Sequence, residues 1–111
     1  MKATVRQVGP VSVLDLNGKI TIGEGDVILR SKVIEILEAG NKNVLLNLEK
    51  VSYMDSAGIG ELVACYKRTK DKGGTVKLLQ PSGKVSDLLA LTKLEEVFET
   101  YTDEKAALAS F

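Results

Sequence analysis

The chain has 111 residues, 44% of them hydrophobic and 27% charged, enough for one domain that removes roughly two-thirds of its unfolded surface from water without staples. Fifteen basic residues balance fifteen acidic ones, which argues against a dedicated nucleic-acid surface, since neutralising phosphates needs a local basic excess. Histidine is absent and Cys65 is the single cysteine, so an internal disulfide and imidazole-based catalysis are excluded and a soft-metal site is disfavoured.

No apolar run approaches the roughly 18 residues of a membrane span. Residues 1–16 alternate polar and apolar and lack the basic, apolar and small-residue succession of a secretory signal, so the expected compartment is the cytoplasm. Lys2 to Val8 and Val11 to Leu16 are alternating runs on either side of Gly9-Pro10, the pattern of a hairpin. Val11 and Val13 compete with the Leu14/Leu16 pair for its buried face, and Asn17-Gly18 marks the exit of the second strand. The polar stretch Gly23-Glu24-Gly25-Asp26 leads into a helix predicted over 27–38, where Leu29, Val33, Ile36 and Leu37 fall at helical spacing before a stop at Gly40-Asn41.

Asn43 to Leu48 contains VLLNL, the nearly continuous apolar run of an inner strand covered on both faces. Ile59, Leu62, Val63 and Tyr66 then recur at the spacing of an amphipathic helix that runs to about Asp71 and ends at Gly73-Gly74. TVKLL at 75–79 predicts another strand. Pro81-Ser82-Gly83 turns it into a short helix containing Val85, Leu88, Leu89 and Leu91, with Ser82 as its cap. A last short strand over 97–101 and a terminal helix over 103–109, capped by Thr102, complete the chain. Helices that join successive strands give parallel neighbours, whereas the opening hairpin is antiparallel. The expected fold class is therefore α/β: a single domain over residues 1–111 with a mixed sheet of four to five strands and about four flanking helices.

The densest polar group is YMDSAGIG at 53–60, placed where a strand gives way to a helix. The first amides of that helix need acceptors, which either Asp55 or Ser56 supplies. Gly58 and Gly60 fall in its first turns, where a glycine costs about 1 kcal/mol relative to alanine, and missing side chains there keep the surface open to a partner. A phosphoryl group on Ser56 would place about two negative charges at the positive end of a helix dipole, so the fold would tolerate it. An interface built around the neutral hydroxyl would not, because it cannot bury a dianion without partner charges. Lys67, Arg68, Lys70 and Lys72 read as the wet face of the helix, and Cys65 as a quiet, partly buried thiol.

YMDSAGIG, preceded by NVLLNLEKVS and followed by ELVACYKRTKDKGG and TVKLLQ, resembles the anti-sigma factor antagonist family, whose fold is the STAS domain. LNGKIT at 16–21 and the closing KLEEVFETYTDEKAALASF fit the same family. The resemblance implies a non-enzymatic protein that binds an anti-sigma factor with serine kinase activity and so frees a sigma factor. It implies that Ser56 is the phosphoacceptor, that phosphorylation is the off state, and that a PP2C-type phosphatase reverses it. Asp55, Ser56, Ala57, Gly58, Ile59 and Gly60 form the implied partner surface, joined by Thr21, Gly23, Glu24 and Asp26 from a loop at the same end of the sheet. No catalytic residue, cofactor, metal, nucleic acid or membrane is expected. Two departures stand out: Ala57 replaces a second hydroxyl residue, and Thr21 stands where many members carry an acid that Glu24 or Asp26 would replace. Thr21 is also the support for an alternative, a STAS-domain scaffold in a bacterial signalling complex outside sigma control.

Overall fold

A computed structural model describes all 111 residues. Five strands, β1 (Lys2–Val8), β2 (Val11–Ile20), β3 (Asn43–Met54), β4 (Thr75–Leu79) and β5 (Thr100–Tyr101), lie side by side in chain order. The β1/β2 pair is antiparallel and the other three pairs are parallel. Each parallel step is bridged by a helix: α1 (Gly25–Glu38), α2 (Ser56–Asp71) and α3 (Gly83–Leu91), the last followed by a 3-10 turn at Leu94–Glu96, while α4 (Glu104–Ala109) follows β5.

The competition between the two apolar sets of β2 is resolved by burying both. Leu14 and Leu16 join Val44, Leu46 and Leu78 in the main core beneath α1, α2 and α3, while Val11 and Val13 join Leu45, Leu79 and Ala107 beneath α4. Inner strands with both faces covered give the near-continuous apolar runs seen in VLLNL. Lys77 interrupts the second face and is nevertheless buried. Its ammonium reaches the Ser110 carbonyl at 2.8 Å and the Ser110 hydroxyl at 2.9 Å, with Glu99 at 3.2 Å, partners that a buried charge requires.

Several boundaries differ from the sequence reading for identifiable reasons. β2 continues past Asn17-Gly18 to Ile20 and β3 past Leu48 to Met54, paired with each other through two register shifts. Each shift inserts a residue, so the buried positions Leu48, Val51 and Met54 recur every third residue rather than every second. α1 starts at Gly25 rather than at 27, because this end of the helix lies against β2: a Cβ on Gly25 would sit 2.2 Å from the Lys19 carbonyl oxygen. Ser82 does not cap α3 through its side chain; its hydroxyl donates to the Val51 carbonyl at 2.7 Å. The final strand shrinks to Thr100–Tyr101, with Phe98 turned into the core edge-on to Tyr66 at 5.3 Å. Asp103, not Thr102, caps α4 by accepting the Ala106 amide at 2.9 Å.

Candidate functional site

Ile20 and Met54 are paired at the ends of β2 and β3, so the chain leaves the sheet twice at one corner, once into the loop before α1 and once into α2. Asp55 ties these two exits together. Its Oδ1 accepts the Gly58 amide at 2.9 Å, which caps α2, and its Oδ2 accepts the Ile22 amide at 3.0 Å from the neighbouring loop. The Ile22 amide first and the Gly58 amide second hold the Asp55 carboxyl below the usual carboxylate range, because both bonds favour the ionised form. With Asp55 as the cap, Ser56 occupies the first position of α2 exposed to solvent.

The two glycines that follow have different surroundings. Gly58 is enclosed: a Cβ there would lie 2.1 Å from the Ile20 carbonyl oxygen, so its missing side chain lets α2 lie against the end of β2. Gly60 is exposed, with nothing within 4 Å of an added Cβ, and of the two it alone keeps an outer surface open. Ala57 and Ile59 are half-buried between them.

The second group reaches the same corner. Thr21 is half-buried and its carbonyl accepts the Asp26 amide at 3.1 Å, while Gly23 and Glu24 are exposed. Glu24 Oε1 receives the Met1 amine at 2.7 Å, and that cation holds the Glu24 carboxyl below its ordinary range. Asp26 belongs to the first turn of α1 rather than to the loop and is buried, its Oδ1 accepting the Val27 amide at 2.8 Å. All ten residues singled out in the sequence therefore gather at one end of the sheet. The sequence reading passed over Ile22, which lies between Thr21 and Gly23, bonds to Asp55 and is 76% exposed. The signal available was a lone large aliphatic residue in the polar stretch TIGEG.

Behind this corner, Glu61 of α2 is buried and takes Arg30 of α1 at 2.8 Å and Arg68 at 3.5 Å, which fixes the two helices against each other. Arg68 thus leaves the wet face assigned to it. Cys65 is fully buried rather than partly so, and burial first and Glu61 second push its thiol up to about 12, where it is inert as a nucleophile at neutral pH. No group of three His, Cys, Asp or Glu side chains is placed to hold a metal ion, and no helix is long and apolar enough to cross a membrane. An open groove of about 530 Å³ runs between α3 and residues 95–101, and a polar one of about 390 Å³ lies over β1 to β3; neither is lined by any of the ten corner residues.

Comparison with known proteins places this corner in context. The family model of the STAS domain matches residues 2–107. The anti-sigma-B factor antagonist of Bacillus subtilis (strain 168) is 36% identical over 81 residues, which cover 69% of this chain and 73% of that protein. A crystal structure of a Thermotoga maritima protein of the anti-sigma factor antagonist class superimposes with a TM-score of 0.89 at 27% identity, covering 97% of this chain and 92% of that one. The Bacillus cell fate determinant SpoIIAA, solved in its phosphorylated form, shares the fold with a TM-score of 0.75 at 21% identity over 99% of this chain and 100% of that one.

Proposed function

The chain belongs to the STAS domain family, and from that membership we propose that it is an anti-sigma factor antagonist switched at Ser56. Unphosphorylated, it binds an anti-sigma factor that is also a serine kinase and releases the sigma factor. The kinase transfers the γ-phosphoryl group of ATP to the Ser56 hydroxyl, whose proton is lost, and ADP leaves. The phosphorylated form no longer holds its partner until a PP2C-type phosphatase removes the group. The protein itself carries no catalytic role, and it works in the cytoplasm.

The observation that carries this reading is the division of labour at the start of α2. Because the Asp55 carboxylate caps the helix, the Ser56 hydroxyl is exposed and free for modification without unravelling the first turn. A phosphoryl group there meets the positive end of the 16-residue helix α2, where a dianion is tolerated. The change falls on the outer surface instead: a partner packed over Ser56, Ala57 and Gly60 would have to desolvate about two negative charges. Thr21, Gly23 and Glu24 extend the same surface, Gly58 and Asp26 shape it from beneath, and Ile59 joins it to the core.

The test is to capture binders from the native cell lysate, add ATP and magnesium, and take intact masses of the wild type and of Ser56→Ala. One phosphoryl increment that Ser56→Ala lacks, with release of a captured anti-sigma kinase, supports the reading. Ser56→Asp should bind that partner more weakly than wild type, and equal binding would refute the electrostatic gate. Capture of a partner with no phosphate on either protein would favour the scaffold alternative.

A further inference from the structure

Of the acids at the loop between β2 and α1, Glu24 alone is largely exposed, and its charge is paired with an amine. Glu24 is engaged by the Met1 amine at 2.7 Å, Asp26 is buried with Oδ1 on the Val27 amide, and both oxygens of Asp55 accept backbone amides. What the loop does present is Ile22, 76% exposed. Its exposure does not come from a floppy tip. The Ile22 amide is fixed to Asp55 at 3.0 Å, the turn is closed by the Asp26 amide on the Thr21 carbonyl at 3.1 Å, and Gly25 is seated directly against the Lys19 carbonyl. An isolated exposed aliphatic residue needs no explanation by itself. One whose backbone is fixed by donating its amide to the cap of the Ser56 helix loses little backbone freedom on association, a condition that favours its side chain as a binding anchor.

We infer that Ile22 is the apolar anchor of the partner interface, inserting into an apolar pocket of the anti-sigma factor and setting specificity by packing rather than by charge. The inference rests on the function proposed above and names the chemistry of its partner. It also couples recognition to the proposed switch. Asp55 joins the loop to the start of α2, so the wall of a pocket that closes on Ile22 is brought over Ser56, and water that would solvate a phosphoryl group is excluded there.

The test is calorimetric titration with the purified anti-sigma factor recovered in the capture experiment. Ile22→Ala should weaken binding about tenfold or more and Ile22→Asp about a hundredfold, with melting temperatures unchanged because the side chain is exposed. Leu91→Ala removes an aliphatic residue that is 80% exposed at the far end of α3 and should stay within about twofold of wild type. Raising NaCl from about 50 to about 500 mM should change the wild-type affinity less than about threefold, since packing is not screened by salt. An Ile22→Ala affinity within about twofold of wild type overturns the inference, as does a loss of more than about tenfold on Glu24→Gln or on raising salt, either of which would make the loop's recognition electrostatic. Recovery of no anti-sigma factor overturns the proposed function itself, whereas a bound anti-sigma factor indifferent to Ile22 overturns this inference alone.

Discussion

Two serines stand where a strand hands over to a helix, and they do different work. Ser82, between β4 and α3, spends its hydroxyl on the Val51 carbonyl at 2.7 Å and is half-buried. Ser56, between β3 and α2, is exposed, and the capping it might have supplied is done by Asp55. The glycines beside them differ as well. Gly83 opens α3 with nothing within 4 Å of an added Cβ, whereas Gly58 is pressed onto the Ile20 carbonyl. One junction uses its serine to hold the fold. The other holds the fold with an aspartate and a glycine and leaves its serine available for chemistry.

The largest effect that sharpens this contrast comes from the glycines. Gly58→Ala forces a carbon to 2.1 Å from a backbone oxygen that cannot swing away, and a loss of about 3 kcal/mol or more in urea unfolding is expected. Gly83→Ala should be neutral or slightly stabilising, by up to about 1 kcal/mol, from helix propensity alone. If the two substitutions cost the same, the close seating of α2 on β2 is wrong.

Asp55→Ala should come next, removing a helix cap and the bond to the loop together, with a drop in melting temperature smaller than that of Gly58→Ala. Because the folded carboxyl is held below its unfolded value of about 3.9, its stabilisation is complete above that value and fades as pH falls through the folded pKa. Urea midpoints followed downward from pH 5 should therefore fall less steeply in Asp55→Asn than in wild type. An unchanged slope would show that the two amide bonds do not favour the ionised form.

Ser82→Ala leaves the Val51 carbonyl without its hydroxyl donor and should cost about 1 kcal/mol. Ser56→Ala should stay within about 0.5 kcal/mol of wild type, the range of an exposed substitution with no structural partner. A reversal of this order, measured by the same unfolding titration, would mean that Ser56 and not Asp55 secures the start of α2.

Much of the fold was legible because strands and helices bury their residues at different periods. VLLNL reads as an inner strand covered on both faces and TVKLL as a further strand, while Leu29, Val33, Ile36 and Leu37 fall at the spacing of a helix. The candidate corner was legible in its residue types, since Asp, Ser and Gly at a strand-to-helix junction have few uses. Legibility failed where a residue's role depends on a neighbour distant in sequence. The three-residue spacing of Leu48, Val51 and Met54 makes sense only with the shifted partner strand beside it. Ser82 reads as a helix cap until the Val51 carbonyl, 31 positions earlier, is seen in front of its hydroxyl.

Local chemistry thus determined the order of elements, the mixed sheet and the crowding of an acid, a hydroxyl and two glycines at one strand end, because periodicity, turn residues and propensity act within a few residues of chain. Tertiary structure decided which of Asp55 and Ser56 would cap, which glycine would be enclosed and which exposed, and that Ile22 would be held out in water at the same corner as Ser56. Those choices are settled by hydrogen bonds and contacts between Ile20 or Ile22 and a segment more than thirty residues later, and the pattern of a single segment carries no record of what will be packed against it.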